Sequence, residues 1–157
     1  MKIIFLVVGK TNDEYLKQGI ALYENRIKHY LSFETIVIPE LRNTKKMTTE
    51  MQKEAEGILI EKYVNNADFS VLLDENGKEY NSTTFSKFIE NKMIAGSKNM
   101  LFIVGGPYGF STRIYDLVKT QISLSQMTFS HQMVRLFFVE QLYRAMTIIK
   151  GEPYHHQ

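Results

Sequence analysis

Four short stretches of this chain carry residue types able to do chemistry. Gly105-Gly106-Pro107-Tyr108-Gly109 follows the apolar run Leu101-Phe102-Ile103-Val104. Glycines let a backbone approach a ligand closely and adopt positive φ, although taken alone these residues also describe a plain tight turn. Leu124-Ser125-Gln126-Met127-Thr128-Phe129 mixes apolar side chains with small hydroxyls. Such a segment can line an adenine slot and offer backbone N–H and C=O groups to its edge; with Met127 and Phe129 buried it would instead cap the core. His131 and Arg135 are four residues apart and so share a helix face, and both suit phosphate. Glu140 and Arg144 have the same spacing, for which an intrahelical ion pair is the simplest role. The stretch Gly151-Glu152-Pro153-Tyr154-His155-His156-Gln157 holds a helix stop, a rigidifying proline, an aromatic ring and two imidazoles. Chain ends usually fray, but tyrosine can stack on a base and histidine titrates near neutral pH.

These residues need elements to position them. Residues 2–8 are rich in β-branched and aromatic types and predict a strand. A helix is expected over 13–30 with Asn12 or Asp13 as its cap, then a strand over 34–38 that Pro39 ends. The polar, basic stretch 39–47, with Arg42, Lys45 and Lys46, reads as the most mobile loop. Thr48 or Thr49 caps a helix to about Val64. Phe69–Leu73 is a strand and Asp74-Glu75-Asn76-Gly77 a turn. Ser82 or Thr83 caps a helix to about Ala95, closed by Gly96. Asn99–Val104 is a strand, Ser111 caps a short helix, Gln121–Leu124 is a short strand, Ser125–Ser130 a loop and 131–150 the last helix. Alternation of this kind implies one α/β domain over residues 1–157, with a mostly parallel sheet flanked by helices on both faces. Ligands bind such sheets beyond the carboxyl ends of the strands, where the loops after Leu73, Val104 and Leu124 lie. The last helix is apolar nearly all round, from Met133 and Val134 through Phe137 and Phe138 to Ile149, and must be covered on more than one side. A second subunit in a symmetric dimer supplies that cover.

Composition narrows the classes. With 44% hydrophobic and 23% charged residues among 157, the chain suits an ordinary globular domain rather than a disordered one. The absence of cysteine excludes disulfides, thiolate catalysis and cysteine-ligated zinc, and no metal site is expected. The apolar run near the start is too short for a signal peptide and no run approaches a membrane span, so a soluble cytoplasmic protein with no membrane partner is expected. Gly9-Lys10-Thr11-Asn12 has a single glycine, which disfavours nicotinamide and nucleoside-triphosphate enzymes. A net charge of +2 leaves room for a local basic patch and a substrate gripped mostly by shape.

Several segments, in their order and spacing, carry a resemblance. They are Met1-Lys2-Ile3 through Val8-Gly9-Lys10, Leu73-Asp74 with Gly77-Lys78, Ile103-Val104-Gly105-Gly106-Pro107 with Gly109, and Leu124-Ser125 through Met127-Thr128-Phe129. His131-Gln132-Met133-Val134-Arg135, Glu140-Gln141-Leu142-Tyr143-Arg144-Ala145 and Pro153-Tyr154-His155 complete them. The chain resembles, over its whole length, the SPOUT-class methyltransferases, and within them the family that methylates N3 of a pseudouridine in 23S rRNA of the large ribosomal subunit. The resemblance implies a C-terminal trefoil knot, which the rarity of knots would otherwise argue against, and a homodimer. It implies S-adenosyl-L-methionine held bent among the knot loops by Leu73, Gly105, Leu124, Ser125, Gln126, Met127, Thr128 and Phe129. His131, Arg144, Tyr154 and His155 match positions that surround the substrate nucleotide, and Arg135 and His156 complete the expected substrate contacts. In that scheme His155 takes the N3 proton, Arg144 stabilises the developing imide anion and Tyr154 orients the base. The expected substrate is the large subunit or whole ribosome. Two departures stand out. Ser130 replaces a common proline, and both residues start helices. His156 replaces a basic residue, which makes RNA affinity sensitive to pH. Rival readings are a non-catalytic dimeric ribosome-binding or assembly factor, a SPOUT enzyme acting on tRNA, and a flavodoxin-like small-molecule binder.

Overall fold

A computed structural model describes residues 1–156. The elements are β1 (Lys2–Val8), α1 (Glu14–Ile27), β2 (Ser32–Ile38), a 3₁₀ turn (Thr44–Lys46), α2 (Thr49–Val64), β3 (Phe69–Glu79), α3 (Ser82–Ile94), β4 (Asn99–Val104), α4 (Thr112–Leu117), β5 (Gln121–Ser123) and α5 (Met133–Ile149). Among the described residues the strands form one sheet in the order β2-β1-β4-β3-β5, parallel throughout. β4 is central and β1 lies beside it, paired on both edges, and both are continuous apolar runs as burial on both faces requires.

Alternation along the strands divides the core. Phe5, Val7, Phe102 and Val104 face α1, α3 and α5, and the Phe138 ring sits 4.5 Å from Phe5 and 4.8 Å from Phe102. Leu6, Val8, Leu101 and Ile103 face Ile60 of α2 and Ile114 of α4. α5 packs between α1 and α3 on the sheet, with Phe138, Val139, Leu142, Ala145 and Met146 fully buried. Its apolar girth is thus covered largely within the chain and does not by itself call for a second subunit. Among the described residues no helix is long and apolar enough to cross a membrane.

Several boundaries differ from the sequence expectations. Asn81, rather than Ser82 or Thr83, caps α3, its Oδ1 accepting from Thr84 N at 2.8 Å. α1 ends at Ile27 and β2 starts at Ser32. Asp74–Gly77 is not a chain-reversing turn: β3 runs on to Glu79, and both Leu73 and Lys78 pair with Ile122 of β5, so the residues between them bulge from the edge of the ladder. Gly77 must be glycine there, because a Cβ would lie 2.6 Å from the Gln121 backbone carbon. Ser130 acts as expected, its Oγ accepting from Met133 N at 3.1 Å just ahead of α5.

Candidate active site

A cleft of about 440 Å³ opens beyond the carboxyl ends of β3, β4 and β5. Of the residues expected at the cofactor, Leu73, Gly105, Leu124, Ser125, Met127, Thr128 and Phe129 line it; Gln126 does not, its amide lying within 3.5 Å of Glu79. The loop after β5 is shaped by its own hydroxyls: Ser123 Oγ donates to Ser125 O at 2.7 Å and Ser125 Oγ accepts from Met127 N at 3.0 Å. Met127 is 77% and Phe129 39% exposed, so this segment does not cap the core. The Gly105–Gly109 loop is pinched by Gly109 N donating to Gly106 O at 3.1 Å, and a Cβ on Gly105 would meet the Gly109 carbonyl carbon at 3.2 Å.

Two residues of this cleft were not among the expected site residues. Asp74 accepts from Asn76 N at 2.8 Å through Oδ1 and from the Tyr115 hydroxyl through Oδ2. Burial, the bond to Asp74 and its charge together hold the Tyr115 phenol well above its usual range. The two residues are 41 positions apart, and no local pattern signals their meeting.

His131 lies at the cleft mouth, where burial and the neighbouring Arg135 charge push its imidazole toward the neutral form. The expectation that Arg135 meets phosphate is corrected by its placement. It is 1% exposed, and its guanidinium donates to Val8 O at 2.7 Å, Gly9 O at 2.8 Å, Thr11 Oγ1 at 3.1 Å and His131 O at 3.1 Å. Arg135 ties the start of α5 to the end of β1.

The chain end forms a second cluster. Glu140 Oε1 accepts from Arg144 Nη2 at 2.6 Å and from the Tyr154 hydroxyl at 3.0 Å. The Arg144 guanidinium lies 4.8 Å from the Tyr154 ring centre, and its Nη1 is 3.4 Å from His155 Nδ1. His155 Nε2 is buried and has no hydrogen-bond partner among the described residues. Tyr23 and Tyr143 pack against Tyr154, and Tyr30 donates to Glu152 at 2.5 Å, so the segment is tied to α1 and α5. Burial, Tyr23 and Glu140 together raise the Tyr154 phenol. His156 is exposed. Arg144, Tyr154 and His155 therefore meet, but away from the cleft of the same chain: the helix from Met133 to Arg144 spans about 16 Å.

This chain belongs to the SPOUT methyltransferase family, whose model, described as a predicted SPOUT methyltransferase, matches residues 1–155. Over 157 residues, covering all of both chains, it is 55% identical to the ribosomal RNA large subunit methyltransferase H of Phocaeicola vulgatus and 52% identical to that of Christiangramia forsetii. Among solved structures it is similar to the tRNA (m1G37) methyltransferase from Aquifex aeolicus (TM-score 0.56, 15% identity, 100% of this chain and 76% of that one). It is also similar to a putative methyltransferase from Legionella pneumophila in complex with SAM (TM-score 0.52, 11% identity, 92% of this chain and 66% of that one). At such identities these two show the fold alone. The chain is thus a methyltransferase of the class that uses S-adenosyl-L-methionine, and the flavodoxin-like reading falls away. The cleft fits that cofactor: its volume suits a nucleoside-sized ligand, its glycine loop is a cradle that a Cβ would crowd, and among the described residues Asp74 and Glu75 line it without a lysine or arginine.

Proposed function

We propose that this chain methylates N3 of a pseudouridine in 23S rRNA, acting as a cytoplasmic homodimer on the large subunit or whole ribosome. The observation that carries the reading is the end-to-end match, at 52–55% identity, to relatives named for methylation of large-subunit ribosomal RNA. The separation of cleft and tail cluster supports the dimer: a second copy can bring Arg144, Tyr154 and His155 to a cleft that one chain keeps apart from them. Threading of the segment after β5 as a trefoil knot is part of the same proposal.

The cofactor, when bound, supplies a methyl group on a sulfonium that is already reactive. The protein's task is alignment and removal of the N3 proton. The loops after Leu73, Val104 and Ser123 orient the donor. In the free chain the Arg144 Nη1, which can only donate, faces His155 Nδ1 at 3.4 Å and occupies that nitrogen. For His155 to take the N3 proton, Arg144 must turn from Nδ1 to the imide oxygen. The same movement delivers the charge that steadies the anion. Tyr154 holds the substrate ring in place. Gln126 and His156, exposed at the rims, remain proposed contacts to cofactor and RNA.

The test is methylation of unmodified large subunits, whole ribosomes and a naked stem-loop by purified protein with labelled cofactor. Product confined to ribosomal particles, identified by mass spectrometry as N3-methylated pseudouridine, is expected. Cofactor binding without product on any particle favours the assembly-factor reading. Mixed dimers of a cleft-disabled chain and a chain lacking Tyr154–Gln157 should regain activity. If mixing restores nothing while both dimers form, the shared site is wrong.

A further inference from the structure

We propose that Asp74 makes the cleft discriminate by charge between the methyl donor and its demethylated product. The inference rests on the cofactor reading of the cleft. Among the described residues Asp74 and Glu75 are the carboxylates lining it, and no lysine or arginine lines it. His131, the remaining titratable base there, is held toward neutrality. Among the described residues neither carboxylate has an ion-pair partner.

Asp74 is also fixed. Tyr115 holds Oδ2, the Asn76 N–H holds Oδ1, and the Tyr115 ring stands edge-on to Phe110 at 5.8 Å. Phe110 is itself buried, so the strut stands on the core beneath the glycine loop. A fixed carboxylate with no counter-charge of the protein's own beside it attracts a cationic ligand. S-adenosyl-L-methionine carries sulfonium, ammonium and carboxylate, for a net charge of one positive unit. When its methyl group leaves, sulfur keeps the bonding electron pair and the product is a neutral thioether with no net charge. The attraction that helps load the donor therefore disappears in the step that makes product, which speeds its release. Glu75 is exposed, and solvent screens it more strongly.

Calorimetric titration of the dimer with S-adenosyl-L-methionine, S-adenosylhomocysteine and sinefungin tests this; sinefungin carries an ammonium group where the sulfonium stands. Asp74→Asn keeps the side-chain shape and an oxygen for the Tyr115 hydroxyl while removing the charge. The preference for the two cations over the thioether should fall about tenfold, the effect of one unit charge at roughly 10 Å in an effective dielectric near 20, trimmed by solvent. Glu75→Gln should change it about twofold or less. In the unaltered protein the preference should shrink as salt is raised, a measurement that needs no variant to fold. An Asp74→Asn protein that loses affinity for all three ligands equally shows a plain hydrogen-bond acceptor and overturns the proposal. So does a preference that salt leaves unchanged. An unaltered protein that binds none of the three overturns the cofactor reading as well.

Discussion

Replacing Arg135 with methionine would separate a fold-holding role from RNA contact. The guanidinium fills the donor needs of Val8 O and Gly9 O at buried positions, with Thr11 Oγ1 and His131 O beside them. Methionine matches the stem but leaves two buried carbonyls without donors, at about 1–3 kcal/mol each. Against this, the variant no longer desolvates a cation; burial already draws the Arg135 pKa downward, with the Glu40 charge opposing. The net loss should be about 2–4 kcal/mol, which for a chain of this size is a fall in Tm of roughly 5–15 °C. Arg135→Lys should land between, since one ammonium cannot reach both strand carbonyls and His131 O at once. Thermal and urea unfolding, run beside cofactor titration and ribosome binding, reads the result. If Arg135→Met unfolds within about 1 °C of the parent while the salt slope of ribosome binding drops by about one, the guanidinium grips phosphate and the structural reasoning is wrong.

Four further outcomes follow from the geometry. Burial and Glu40 hold the Glu56 carboxyl above its ordinary 4.5, so its charge costs stability at neutral pH; Glu56→Gln should unfold at higher temperature at pH 7, with the gain fading as pH falls to 4.5. His131 is depressed below its ordinary 6.5. Its contribution is complete above that pH and declines as pH drops toward the folded value, so His131→Asn should flatten the acid limb of a Tm profile. Gly77→Ala would drive a Cβ into the Gln121–Ile122 backbone, whereas Gly96→Ala meets nothing and strains only a φ of +83°. Unfolding free energies should fall by more than about 3 kcal/mol for Gly77→Ala and by about 1–2 kcal/mol for Gly96→Ala. Glu140→Gln weakens the bonds from Arg144 and Tyr154 and should cost about 1 kcal/mol; an unchanged Tm would mean the chain end is not held by this carboxylate.

The central strands were legible because burial on both faces leaves an unbroken apolar run, as in Leu101-Phe102-Ile103-Val104, and the loops beyond them were legible as ligand sites because parallel sheets place ligands there. What escaped depended on distant partners. Helical spacing put His131 and Arg135 on one face but could not say that it turned inward, because the receiving carbonyls belong to Val8 and Gly9. The bulge at 74–77 is invisible without β5, and the cap at Asn81 was hidden by two neighbours equally suited to capping. The chain end looked unusual from Tyr154 and His155, but the hold on it comes from Glu140 and Tyr23, residues whose types are ordinary on a helix.

The position of β1 bears on how the molecule is made. β1 lies inside the sheet between β2 and β4, and its Leu6 pairs with Ile103, nearly a hundred residues later. At about 5–20 residues per second, the edge of β1 that pairs with β4 keeps its backbone N–H and C=O groups unpaired for roughly 5–20 s on the ribosome before β4 exists. β2 pairs with the other edge meanwhile, and α1 can cover one face. The clamp from Arg135 to Val8 and Gly9 comes later still. Long-range pairing of this kind slows folding. The half-built β2–β1 sheet is the stage at which aggregation competes with completion, and a stop or slow codon placed before β4 should cost more soluble protein than one placed after it.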